Sequence, residues 1–216
     1  MDTIKAAWRR HQVVSVLFLD IEGVFPNAVT PRLLHNLHKR RVPEVYVPFI
    51  SNMLMGRHTQ LQFDDHVSSW IELDNGIGLG DPLSVLLYLY YNLDILEVPM
   101  GHNEMGLGYV DDMALVAVAK DFTQAHRRLK QMMTQTGGAI EWSGVHNSCF
   151  EATKFTLMDF THSRSKSHPP MTLQGVSLVP QELHKFLGIL LDQELWWNHQ
   201  ASSAIAKASK WVLVFR

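Results

Sequence analysis

The chain has 216 residues, enough for one sizeable core or for one domain with an appendage. Its 46% hydrophobic and 19% charged residues are those of an ordinary globular protein, and no apolar run reaches the roughly 18 residues that cross a bilayer. The net charge of -2 lacks the basic surplus of most nucleic-acid-binding proteins, and 12 histidines add little positive charge at neutral pH.

Basic residues are scattered, apart from Arg9-Arg10 and Lys39-Arg40-Arg41. The single Cys149 excludes an internal disulfide and matches no zinc-ligand spacing. Met1 to Arg10 carries Asp2, Lys5, Arg9 and Arg10 and no apolar signal segment. An intracellular, reducing compartment, nuclear or cytoplasmic, is the expectation. Composition alone implies an intracellular enzyme of unspecified type.

Val13 to Ile21 (VVSVLFLDI) is an almost unbroken apolar, β-branched run and predicts a buried strand ending at Asp20. Thr30-Pro31 supplies an N-cap and a first-turn proline for a helix to about Arg41. Pro43 begins a second helix that stops near Gly56. Arg57 to Phe63 and Val67 to Leu73 alternate in polarity around Asp64-Asp65, predicting an antiparallel hairpin. The glycine-rich stretch 76–80 is a loop, after which Asp81 and Pro82 open an apolar helix to about Leu96.

Leu107 to Ala119 predicts two strands folded around Val110-Asp111-Asp112. Asp121 caps an amphipathic helix to about Thr136, ended by Gly137-Gly138. A helix or turn follows, then a strand from Thr153 to Phe160. Residues 162–170 (HSRSKSHPP) are the only linker-like segment. Two short strands, Met171 to Leu178 and Lys185 to Leu191, precede a last helix from about Asn198 to Arg216. This mixed order predicts an α+β layer, an antiparallel sheet with helices packed on one face.

Acids stand out where a structural role is hard to assign. Asp20 closes an apolar strand, and Asp111-Asp112 lie between two more. Carboxylates buried there would need compensation, which a hard divalent cation could supply. A β-turn in which Asp bonds its own backbone is the structural alternative.

Five segments in order resemble the palm motifs of reverse transcriptases. Phe18-Leu-Asp20-Ile-Glu-Gly-Val-Phe25-Pro-Asn27 resembles the first and Asn75 to Ser84 the glycine-rich second. Tyr109-Val-Asp111-Asp112 is similar to the aromatic-x-Asp-Asp hairpin. Asn147 to Phe160, with Lys154, resembles the fourth, and His184 to Ile189 the primer-contacting fifth. The details look most like the non-LTR (LINE-type) retrotransposon branch, particularly fungal members, and the likeness covers roughly residues 13 to 200.

The resemblance implies a polymerase palm lacking most of the fingers and thumb, a partial copy of a longer product. It would divide into a palm core over 1–161, a linker over 162–170, a primer-contacting hairpin region over 171–197 and the start of a thumb helix over 198–216. It implies two-metal addition of dNTPs to a DNA primer on an RNA template, with Mg²⁺ or Mn²⁺. Asp20, Asp111, Asp112 and the backbone carbonyl of Ile21 would bind metal, and Lys154 would serve the leaving pyrophosphate. Phe25 would select against a ribose 2′-OH, Leu79 and Gly80 would line the nucleotide site, and Phe186, Leu187 and Gly188 would hold the primer.

Two positions depart from the family pattern. Leu79 replaces the usual glutamine, removing its amide hydrogen bonds, and Val24 replaces the commoner alanine. Three readings stand open: an RNA-directed DNA polymerase; a catalytically dead, truncated palm acting as a nucleic-acid-binding or interaction module; and an unrelated metal-dependent phosphotransferase.

Overall fold

The computed structural model describes residues 1–23, 25–78, 80–99, 101–162 and 168–214. The chain opens with helix α1 (Asp2–Arg9), absent from the predicted series because its buried stripe, Ile4 and Ala7, is too short to show a period. Strand β1 (Val13–Leu19) and the short β2 (Ile21–Glu22) flank Asp20. Next come helices α2 (Thr30–Lys39) and α3 (Tyr46–Leu54), then strands β3 (Arg57–Thr59), β4 (Gln62–Phe63), β5 (His66–Val67) and β6 (Ile71–Leu73). Helix α4 (Pro82–Asn92) precedes the hairpin of β7 (Glu104–Tyr109) and β8 (Asp112–Ala119), which leads to α5 (Phe122–Thr134) and α6 (Ala139–Val145). The remainder is β9 (Cys149–Phe150), β10 (Thr156–Phe160), β11 (Met171–Leu173), β12 (Val176–Leu178), β13 (Leu183–Phe186), β14 (Ile189–Asp192) and α7 (Asn198–Val214).

Local signals act largely as expected. Asp81 accepts from Leu83 N at 2.9 Å and Asp121 from Gln124 N at 2.8 Å, so both cap their helices. Several boundaries differ. Val29, not Thr30, is the N-cap of α2, and the Thr30 hydroxyl is buried without a partner. Pro43 makes a turn, its carbonyl accepting from Tyr46 N, and α3 starts only there. Helix α4 tightens into a 3₁₀ turn at Leu93–Glu97. Thr153 belongs to another 3₁₀ turn, Ala152–Lys154, and not to a strand. The two late strands are each a hairpin, β11 with β12 and β13 with β14, because Gln174-Gly175 and Leu187-Gly188 all adopt positive φ.

The main sheet is antiparallel in the order β10-β1-β8-β7. β1 is buried along its whole length, so both faces are covered. Leu17 and Leu19 of β1 join Met113, Leu115 and Ala117 of β8 beneath α5 and α6. Val14, Val16 and Phe18 join Ala114, Val116 and Val118 on the other face, covered by Ile4 and Ala7 of α1 and by Leu191 and Leu195. This is the period-2 alternation of a strand, read from both sides. A third cluster packs α2, α3 and α4 through Leu33, Leu37, Ile50, Leu87, Tyr88 and Tyr91. No helix among the described residues is long and apolar enough to cross a membrane.

One carboxylate sits inside this sheet. Asp159 of β10 is fully buried and accepts from the Ser15 hydroxyl at 2.6 Å. His126 Nε2 of α5 lies 2.8 Å from its Oδ1, and His168 Nδ1 lies 3.3 Å from its Oδ2. A buried charge survives only with such partners. His126→Ala is expected to destabilise the chain by about 3 kcal/mol, because it strips the closest ring from a dry carboxylate. Urea unfolding would measure this, and a change below about 0.5 kcal/mol would mean that Ser15 and His168 suffice alone.

Candidate active site

Antiparallel register builds the site. Pairing of β1 with β8 runs to Leu19 opposite Met113, so the next residues outward, Asp20 and Asp112, face each other past the end of the ladder. On the other side of β8, Tyr109 pairs with Asp112 across a two-residue turn of Val110 and Asp111. Val110 has φ +57°, strained for a β-branched residue and worth roughly 1–3 kcal/mol. The buried Asn92 holds that turn, donating from Nδ2 to the Val110 carbonyl at 3.0 Å.

The three acids are exposed at the rim, contrary to the expectation of burial; the strands carrying them are buried, but the acids themselves are not. Partial desolvation pushes the Asp112 carboxyl up, and the charges of Asp111 and Asp20 push it further the same way. Like charges therefore share one neighbourhood. Among the described residues no three Asp, Glu, His or Cys side chains stand close enough to form a metal centre as they lie. The arrangement is an open acidic ledge. Its oxygen donors and mutual repulsion suit a hard divalent cation, which commonly uses one or two carboxylates and keeps its waters.

Lys154 reaches this ledge. Its ammonium lies 2.6 Å from Glu151 Oε2, 2.8 Å from Glu22 Oε1 and 3.5 Å from Asp20 Oδ2. Pairing of β2 with β9, Ile21 opposite Phe150 and Glu22 opposite Cys149, brings the two segments together. Glu22 is thus a partner of Lys154. All these side chains are about half exposed, so screening keeps their net stabilisation small and their effect is positional.

The other candidates lie on separate elements. Phe25 is half-buried, its ring 5.4 Å from that of Tyr88, and its carbonyl accepts from Ile77 N at 2.8 Å. Gly76 N donates to the Ala28 carbonyl at 2.7 Å, and a Cβ on Gly76 would come 2.8 Å from the Pro26 carbonyl. The first and second motif segments thus touch backbone to backbone, and Arg57 clamps the carbonyls of Asn75 and Gly76 at 3.1 and 2.6 Å. Gly80 has φ +83° with open space where a Cβ would sit, so conformation and not crowding favours glycine. Leu79 and Val24 lie outside the described residues. Phe186 packs its ring 4.9 Å from Phe18, while Leu187 and Gly188 form the exposed tip of β13–β14.

Sequence reading missed three supports of this site: Glu151, Asn92 and Arg57. Glu151 carried a usable signal, its three-residue spacing from Lys154. Asn92 and Arg57 carried none, since their partners are backbone carbonyls distant in sequence. The Lys154 ammonium and the Thr153 hydroxyl hold the Glu151 carboxyl well below its ordinary value, at about 2. This group's contribution is therefore present above its ordinary 4.5 and is lost as pH falls toward 2. Carbon-detected NMR should find the Glu151 midpoint near 2 and returned toward 4.5 in Lys154→Ala; an unchanged midpoint would exclude the ion pair in solution.

No family model matches the sequence. The chain is 24% identical over 200 residues to a probable RNA-directed DNA polymerase from the transposon X-element of Drosophila melanogaster, an alignment covering 92% of this chain and 22% of that protein. It is also 24% identical to the RNA-directed DNA polymerase of the mobile element jockey from Drosophila funebris, over 91% of this chain and 22% of that protein. The chain thus spans about a fifth of the length of these curated relatives. Apo telomerase from Candida tropicalis, truncated from its C-terminal domain, superposes with a TM-score of 0.60 at 10% identity, over 89% of this chain and 38% of that one. Telomerase of the same organism in complex with a fragment of telomeric RNA superposes with a TM-score of 0.57 at 12% identity, over 91% of this chain and 33% of that one. The chain is thus similar in sequence to RNA-directed DNA polymerases of mobile elements, and it shares its fold with part of telomerase.

Proposed function

We propose that this chain is the palm of an RNA-directed DNA polymerase that adds deoxynucleotides to a DNA primer on an RNA template. The observation that carries the proposal is the meeting of Asp20, Asp111 and Asp112 at neighbouring strand ends, where partial desolvation and then the charges of the other two push the Asp112 carboxyl up. Alignment with polymerases over nine-tenths of the chain supports the same reading.

Asp20, Asp111, Asp112 and the carbonyl of Ile21 would hold Mg²⁺ or Mn²⁺, which when bound supplies charge stabilisation to the attacking and leaving oxygens. The chain's own residues orient the reactants. Phe25, braced by Tyr88, walls the sugar side and disfavours a ribose 2′-OH. The backbone of Gly76, fastened by Arg57, and of Gly80 lines the nucleotide. Lys154 offers positive charge to the departing pyrophosphate once it exchanges Glu22 and Glu151 for phosphate oxygens. The tip of β13–β14, Phe186 to Gly188, supports the primer terminus.

A second reading has an observation of its own. Lys154 is engaged by three acids, one of them Asp20, and Leu79 cannot make the amide contacts of the family's glutamine. A catalytically silent palm that retains only nucleic-acid binding or an interaction role fits those two features.

Primer extension on poly-rA with an oligo-dT primer separates the readings. Metal-dependent incorporation of dTTP is expected, Asp111→Ala should lower it by at least about a hundredfold, and Leu79→Gln should raise it severalfold. No incorporation by folded protein would leave the silent palm, and an unchanged rate in Asp111→Ala would refute the metal assignment.

A further inference from the structure

A second pocket lies at the opposite end of β1 from the acids. Trp8 of α1 and His162 form one wall, with ring centroids 3.9 Å apart; Trp196 and Leu195 form the other, and Glu194 lies at the edge of the roughly 440 Å³ space. Lys5 and Arg9, four positions apart and so on one face of α1, line the same space. Neither cation makes an ion pair among the described residues, unlike Lys39, Arg40 and Lys154.

Both walls are fixed before any ligand arrives. The Trp8 indole donates from Nε1 to the Phe160 carbonyl at 3.1 Å, tying it to β10. Asp192, itself buried, accepts from the backbone N–H of Trp196 and of Trp197 at 2.8 Å each, holding the turn that presents the second indole. The Trp196 residue is nonetheless 54% exposed. Rigid aromatic walls beside two uncommitted cations are the elements that single-strand binding uses: π-faces for a base and positive charge for its phosphates. Glu194 adds an acceptor for an exocyclic amino group or ring N–H.

Position agrees with that chemistry. Phe160 pairs with Val14, six residues before Asp20 along β1, which places the pocket about 20 Å from the acidic ledge at roughly 3.3 Å per residue. A strand rising about 3.4 Å per nucleotide would cover that distance in about six nucleotides.

We infer that this pocket seats one unpaired nucleobase of a nucleic-acid strand about six nucleotides from the reaction centre, with Lys5 and Arg9 on its phosphates. The inference deepens the polymerase proposal and rests on it for the presence of a strand. Fluorescence anisotropy of the full chain with labelled oligo-dT of about twelve nucleotides, oligo-rU of the same length and an abasic strand of that length tests it.

Trp196→Ala should weaken the base-bearing strands about tenfold and leave the abasic strand within about twofold. Trp196→Phe, which keeps a stacking ring and guards against misfolding, should stay within about threefold of the parent. Lys5→Gln with Arg9→Gln should weaken all strands and reduce the slope of log affinity against log salt by about 1.4. Preference for dT over rU, or the reverse, identifies the strand. Equal affinity of Trp196→Ala and parent for the dT strand, equal losses with and without bases, or no binding at all each overturn the pocket. Primer extension by the same preparation reports separately on the polymerase proposal.

Discussion

The candidate site depends on the pairing of β1 with β8. Seven residues of β1 and seven of β8 are buried on both faces, and each large apolar side chain so enclosed contributes about 1.5–3 kcal/mol. A slip of one residue would turn Val14, Val16 and Phe18 onto the face of α5 and expose both cores to mismatch. Register is therefore strongly specified, and the same register sets Asp20 opposite Asp112. Apolar packing positions a polar site that does nothing for stability on its own.

Repulsion among the acids is tolerated because they project from the rim of the sheet, where water screens them. Two devices hold the geometry against that repulsion. Asn92 grips the carbonyl of the strained Val110, and Lys154 places one positive charge beside Asp20. Both reach the ledge from elements far away in the chain, α4 and the 3₁₀ turn before β10. The layer of α2, α3 and α4 is thus coupled to the sheet: Tyr91 accepts from Val29 N and donates to the His146 carbonyl, joining the approach to α2 with the end of α6.

The buried Asp159 plays the opposite part. It carries no chemistry assigned to the rim, yet it links β1, α5 and the chain at His168 through Ser15, His126 and His168. A dry carboxylate with fixed partners favours one packing of these elements over near alternatives, which would leave it unpaired. The two indoles of the second pocket depend on the same region, since Trp8 is bonded to the carbonyl of Phe160, the residue after Asp159.

Much of this was legible without coordinates. The apolar run of β1, the Asp-Asp turn, the caps Asp81 and Asp121 and the hairpin about Asp64-Asp65 rest on local pattern and on short-range hydrogen bonds, which neighbouring residues determine. The ordered motifs likewise pointed to Asp20, Asp111 and Asp112 together. Tertiary structure alone decided that the acids are exposed, that Lys154 also reaches Glu22 and Asp20, and that Asn92 and Arg57 support the site. It alone showed α1 closing the second face of the sheet and Trp8 meeting Trp196 across a pocket. The physical reason is common to all of these: burial and long-range pairing depend on which surfaces meet, and partners 18 or more positions apart leave no periodic trace in the chain.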